Sequence, residues 1–294
     1  MNHIQTLKSI VPSPLHPYLG AIRRRLRSLP ARTREQRQRL LSDPALTDKQ
    51  RELLKQVETR ISPGDGMYAG NGAHYFKVGL SAIACIEAAI DASGLASVRS
   101  ILDLPCGHGR VLRFLVRRFP EAKFIASDLD RKGVDFCVRT FGVEGVYSQW
   151  HLSEFLVDHQ FDLIWCGSLI THLNETGIQD LLAFFTRHLG SGGLLIFTTH
   201  GERVIQRMLN RTFDYGIANE RLPALIDSCR KEGFGFTDYP RGSDYGVSAS
   251  GYGVSLTTPE WIGAEAEKLG LDEVYFCEHG WDDHQDVYGF VRQS

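Results

Sequence analysis

The chain has 294 residues, 43% hydrophobic and 23% charged, with a formal net charge of −2. This suits a globular protein with a sizeable core and excludes low-complexity and collagen-like chains. The charge is uneven: residues 1–60 carry 13 Lys and Arg against 5 Asp and Glu, and the remainder carries 20 against 30. The acidic main body argues against a broad nucleic-acid footprint. Six scattered cysteines (Cys85, Cys106, Cys137, Cys166, Cys229 and Cys277) form no CxxC pair, as expected of a reduced, cytoplasmic protein. No apolar stretch approaches the roughly 20 residues that span a bilayer. No His and Cys set has zinc spacing, so no metal is expected.

Residues 1–20 hold Pro12, Pro14 and Pro17 and are expected to lack regular structure. Residues 21–40 contain eight arginines and one glutamate, the pattern of a solvated helix face or of an arm for anionic membrane surfaces or phosphates. The spacing of Leu53, Leu54 and Val57 predicts a short helix over 47–57, started by Thr47 or Asp48. Residues 62–75 are glycine-rich and carry Met67, Tyr68, His74 and Tyr75, either as a linker or as a loop over a ligand. A helix over 75–93 follows, with Val78, Leu80, Ile83, Ile86 and Ile90 apolar.

The organising stretch is Ser100–Val116, SILDLPCGHGRVLRFLV: an apolar strand, a glycine turn and a helix start. Such a turn aims backbone N–H groups at a ligand, and glycine lets the ligand approach. Asp103 adds a carboxylate at the same mouth. Further strands are expected at 123–127, 144–147, 161–167 and 194–199, with helices at 131–141 and around Leu181–Phe185, and a turn at Gly190–Gly193. Asp128 follows the second strand, where an acid accepts hydrogen bonds from ribose hydroxyls. Alternation of strands and helices predicts a parallel α/β sheet. Residues 201–251, with a helix-like run at 218–231, are too long for an ordinary loop and read as a substrate lid. Thr258 and Pro259 open a helix ending near Gly270. Strands at 273–277 and 287–292, joined by GWDDHQD, must form a hairpin, so one runs antiparallel.

A nicotinamide fingerprint needs a third glycine where Leu112 stands, which disfavours an oxidoreductase. Asp103 before Gly107-His108-Gly109, Asp128 after the next strand, FDLIWCGSLITHL and a terminal hairpin together resemble a class I S-adenosylmethionine-dependent methyltransferase over residues 75–292. Pro105 stands where that family has its first glycine. The resemblance implies a Rossmann-like, doubly wound, mostly parallel seven-stranded sheet ending in an antiparallel hairpin. A basic, partly helical extension over 1–74 would precede a catalytic domain over 75–294, with the insertion at 201–251 after the fifth strand. It implies S-adenosylmethionine bound by Asp103, Cys106, Gly107, Gly109, Asp128, Leu129, Cys166, Gly167 and Ser168, with Tyr75 added on position alone.

Methyl transfer is an in-line displacement by a nucleophile held in attack geometry, and a hydroxyl nucleophile needs a base. His172, after the fourth strand, is the first base candidate, and His284 is the second, with Asp286 placed to orient it. His108 is expected to shape the turn, and Arg110 to pair with Asp103 or Asp128 or to help position the cofactor's carboxylate. The expected acceptor is a hydroxyl of a small molecule or glycan, or else a macromolecule docked by the arginine-rich N-terminus.

Overall fold

The structure is a computed structural model that describes residues 30–155, 157–213, 215–240 and 250–292. The expectations for residues 1–29, which include the first nine positions of the arginine-rich run, lie outside the described residues. So does the 241–249 part of the insertion. The chain divides into two compact units, Met1–Lys77 and Val78–Ser294.

In the first unit, α1 (Pro30–Leu41) and α2 (Asp48–Gln56) are helical. Thr47 caps α2 in a reciprocal capping box with Gln50, which satisfies two amide donors that the first turn leaves open. Within 62–75 the aromatic residues are packed inward. Tyr68 and Tyr75 are buried in edge-to-face contact, and the Tyr75 hydroxyl donates to Asp65 Oδ2 at 2.6 Å. The boundary between the units falls within α3 (Gly72–Ser93).

The second unit is built on β1 (Ser100–Asp103), β2 (Lys123–Asp128), β3 (Glu144–Tyr147), β4 (Phe161–Cys166), β5 (Leu189–Thr199), β8 (Leu271–Trp281) and β9 (Gln285–Arg292). Their order is β3-β2-β1-β4-β5-β9-β8, with β9 antiparallel to both neighbours. Order reverses at β1, so the crevice at the carboxyl ends of β1 and β4 is where such sheets bind ligands. Helices α4 (Leu112–Arg118), α5 (Arg131–Phe141), α6 (Glu175–His188) and α9 (Pro259–Glu267) accompany the strands. Asp130, Asn174 and Thr258 cap α5, α6 and α9. A core of residues such as Ile164, Leu181, Phe184, Phe197 and Phe290 is essentially excluded from solvent.

Three local expectations are corrected. Gly190–Gly193 belongs to β5: pairing with β4 passes from Phe161↔Leu189 to Leu163↔Leu194, so these residues bulge instead of ending the strand. The final hairpin is longer than its apolar runs, because Trp281 pairs with Gln285. The insertion, in which only one helix-like run was expected, is a small folded body. It contains α7 (Glu202–Leu209), α8 (Leu222–Glu232) and an antiparallel pair, β6 (Phe234–Asp238) with β7 (Gly253–Thr257). Its own core joins Val204, Met208, Leu225, Ile226, Val254 and Leu256. The glycines that hid β7 are required by packing, since a Cβ on Gly253 would stand 2.7 Å from Asp238 Cα.

Candidate active site

The turn after β1 is wedged between two strand ends. Leu104 N–H donates to the Trp165 carbonyl at 3.1 Å and Cys106 N–H to the Ser127 carbonyl at 2.9 Å. Gly107 and Gly109 have φ of 49° and 74°, the left-handed region that glycine adopts without steric cost. Arg113 is fully buried on α4, where its Nε donates to the Gly109 carbonyl at 2.9 Å and its guanidinium lies over Phe141. Gly133 on α5 lies so close that a Cβ there would press on the Gly107 carbonyl, its carbon 2.9 Å away. On the other side of Gly107 a Cβ would meet nothing within 4 Å, which is the open side of the mouth.

Two carboxylates meet at this mouth. Asp128 Oδ2 accepts from Gly107 N–H and its Oδ1 from Asp130 N–H, both at 2.8 Å. Burial raises the Asp128 pKa, and these two N–H groups oppose the rise. Asp103 is 1% exposed and its Oδ2 has no partner. Burial, with the charge of Asp128, pushes its carboxyl well above the ordinary range. A buried carboxylate oxygen without a partner beside a second carboxylate favours a cation. Leu129, next to Asp128, is 46% exposed and offers an apolar face. Cys106 and Cys166 are buried thiols with raised pKa values. His108 stands 3.8 Å from Asp130, and Arg110 lies over the Trp281 ring.

The segment after β4 is pinned by a small network. Ser168, with φ of 66°, donates its N–H to Thr198 Oγ1 at 2.8 Å. Gln285 accepts from Thr198 Oγ1 at 2.6 Å and donates to Ser168 Oγ at 2.9 Å. Gly167 packs where a Cβ would lie 2.9 Å from Trp281. Trp281 stands edge-on to Trp165 and donates its Nε1–H to the Val78 carbonyl. Tyr75 belongs to the first unit, where its hydroxyl is bonded to Asp65.

His172 ends a 3-10 turn, Ile170–His172, beneath β7. Its Nδ1 lies 3.0 Å from the Gly253 carbonyl and 3.0 Å from the Tyr239 hydroxyl, and its ring stacks on Tyr252. A carbonyl only accepts, so the hydrogen sits on Nδ1 and the lone pair on Nε2. Burial lowers its pKa, keeping the ring neutral near pH 7. His284 is arranged differently. Its Nδ1 is 2.6 Å from Arg207 Nη1, which can only donate, so the Nδ1 lone pair is occupied. Burial, with Arg207, pulls its pKa down to about 4. Asp286 does not orient it: its Oδ1 accepts from His279 N–H at 2.7 Å, and burial pushes its pKa up to about 6.

His200, one residue beyond β5, was not singled out from sequence. It is 4% exposed, and its Nδ1 has no partner. Burial, with His172 and His284 nearby, takes its pKa well below the ordinary value. The available signal was a histidine ending a buried strand at the edge where these sheets bind ligands.

Fold and mouth define a class I Rossmann-like domain with a glycine turn after β1 and a ribose-type acid after β2. Residues 101–193 match the family model described as a methyltransferase domain. The chain therefore carries a class I, S-adenosylmethionine-dependent methyltransferase domain. Malonyl-[acyl-carrier protein] O-methyltransferase of Bacillus cytotoxicus is 30% identical over 123 residues, 42% of this chain and 42% of that protein. Its Bacillus cereus counterpart is 27% identical over 117 residues, 40% of this chain and 42% of that protein. The matched segment thus spans about two fifths of these relatives. A methyltransferase structure from Clostridium acetobutylicum superposes with a TM-score of 0.49 at 14% identity, covering 75% of this chain and 92% of that one.

The mouth fits S-adenosylmethionine. The unpartnered Asp103 oxygen suits its ammonium, Asp128 its ribose hydroxyls, and exposed Leu129 its base. Among the described residues no group of His, Cys, Asp and Glu could hold a metal ion, and no helix is long and apolar enough to cross a membrane.

Proposed function

We propose that this protein transfers a methyl group from S-adenosylmethionine to a hydroxyl of a small molecule or glycan. The folded insertion after β5 would select the acceptor. The observation that carries this is His172, held after β4 with its hydrogen directed to the Gly253 carbonyl and its ring kept neutral by burial. The cofactor supplies an activated methyl on a sulfonium. This chain's task is to hold the acceptor oxygen in line, exclude water and remove its proton. His172 Nε2 is the atom that takes that proton, and Gly253 on β7 ties the base to the acceptor-binding insertion. Asp103 and Asp128 bind the cofactor and take no part in the transfer.

Calorimetric titration with S-adenosylmethionine and with NAD, on wild type and Asp128→Ala, tests the cofactor. Wild type should bind the sulfonium compound and the variant should lose most of that affinity. Binding of NAD alone would overturn the reading.

The name of the two relatives favours a second acceptor class, a carboxylate. A carboxylate is already ionised near pH 7 and needs no base. His172→Ala separates the two: a hydroxyl acceptor predicts a loss of about 10²–10⁴-fold in kcat, and a carboxylate acceptor predicts almost none.

A further inference from the structure

Beside His172, at the end of β5, is a second cluster that the proposed mechanism does not use. His200, Tyr215, Phe213 and His284 gather their rings there. Tyr215 and His284 stack at 5.8 Å between centroids, and His200 stands edge-on to both, at 5.5 and 5.7 Å. Phe213 tilts against Tyr215 and His284 and is 55% exposed, forming the rim.

Two buried polar atoms in this cluster have no partner: Nδ1 of His200 and the hydroxyl of Tyr215, in side chains 4% and 8% exposed. Native proteins pair nearly all such atoms, so two unpaired polar atoms within one ring cluster point to a ligand that pairs them. Their protonation states are complementary. Burial keeps the His200 ring neutral, so the ring carries one N–H and one lone pair. Burial pushes the Tyr215 hydroxyl up to about 12, so it keeps its proton and donates. The nearby cations are engaged, Arg207 with His284 and Asp283, and Arg203 with Asp283. That leaves a neutral hydroxyl, rather than a phosphate or carboxylate, as the matching group.

We propose that His200 and Tyr215 are the acceptor-recognition pair, hydrogen-bonding a phenol-type hydroxyl of the acceptor other than the oxygen that His172 deprotonates, with its ring held against Phe213 and His284. The inference deepens the hydroxyl-acceptor reading above and rests on it. A hydroxyl-reading site rejects an analogue of equal shape that lacks the hydroxyl, because its polar atoms are then left unpaired.

The test uses phenol and toluene as probes on the full chain, with histidine-ring nitrogen NMR and calorimetry. Wild type should bind phenol about tenfold more tightly than toluene, and phenol but not toluene should move the His200 Nδ1 resonance. In Tyr215→Phe the preference should shrink to about two- or threefold. The same variant should melt about 2 °C higher, because it removes a buried hydroxyl without a partner. A tyrosine whose hydroxyl had only a structural role would melt lower on this change, and that result overturns the pair. Equal affinity for the two probes, no phenol binding in the millimolar range, or an unmoved His200 signal would do the same. S-adenosylmethionine is titrated into the same samples. Its failure to bind refutes the methyltransferase reading, whereas normal cofactor binding without phenol preference refutes only this pair.

Discussion

Replacement of Gly133 by alanine perturbs the cofactor turn from behind without touching a ligand. The residue lies on α5, and an added Cβ would fall against the Gly107 carbonyl, 2.9 Å from its carbon and 3.4 Å from His108 Nδ1. Ordinary contact begins at 3.4 Å and the carbonyl oxygen is closer still than its carbon, so the turn must retreat by about 1 Å. Overpacking of this kind costs about 1–3 kcal/mol, and the better helix propensity of alanine returns about 1 kcal/mol. Net destabilisation of about 0–2 kcal/mol is therefore expected, with no loss of fold. Binding should suffer more, because the displaced Gly107 N–H is the one that holds Asp128 Oδ2 at 2.8 Å. A misplacement of this order at a reacting or binding group can cost 10–100-fold, so the Kd for S-adenosylmethionine should rise by about tenfold or more. Calorimetry for affinity and a urea melt for stability give the two numbers separately. Wild-type affinity in Gly133→Ala would refute the idea that α5 sets the position of the turn.

Asp103→Asn should loosen S-adenosylmethionine by about tenfold or more, the scale of a lost charged hydrogen bond. It should at the same time stabilise the free protein at pH 7, since it removes a buried carboxyl crowded by Asp128; paired titration and melting curves check both signs. Asp286→Asn tests the carboxyl raised to about 6 from an ordinary 3.8. A carboxyl raised on folding penalises the native state as the unfolded chain ionises first, so wild type should lose stability between pH 4 and 6. The loss amounts to at most about 3 kcal/mol, about two pKa units, and the variant should lack that slope in urea melts across this range. For His172 the sign is that of a base: turnover should rise with pH and level off below 6.5, because burial lowers its pKa. His172→Ala should abolish that limb in a pH–rate profile while leaving cofactor affinity in place.

Much of the fold was legible because its signals are local. The α5 limits, Arg131–Phe141, follow from apolar spacing closed by Gly142 in the left-handed region. The Thr47 and Thr258 caps follow from one side chain meeting its own amide neighbours. Asp103, the glycine turn and Asp128 could be placed together because parallel strands with short crossovers bring consecutive carboxyl ends side by side. The insertion was opaque for the opposite reason. On β7 a glycine stands where a side chain would collide with β6, and on β6 a glycine stands where one would collide with α8, so the packing that makes them strands also erases their pattern. The long β5 bulge was hidden likewise, because Gly190–Gly193 looks like a turn until β4 is beside it.

By itself the sequence determined what depends on near neighbours: a mostly parallel α/β sheet, a glycine turn between two acids, and a terminal hairpin. Tertiary structure alone decided what those groups do. It left one oxygen of Asp103 without a partner, occupied the lone pair of His284 with Arg207, and turned the Nδ1 hydrogen of His172 toward Gly253. It also buried His200 Nδ1 and the Tyr215 hydroxyl without partners. Protonation and hydrogen-bond capacity are set by burial and by partners distant in the chain, and neither has a local signature in the order of residues.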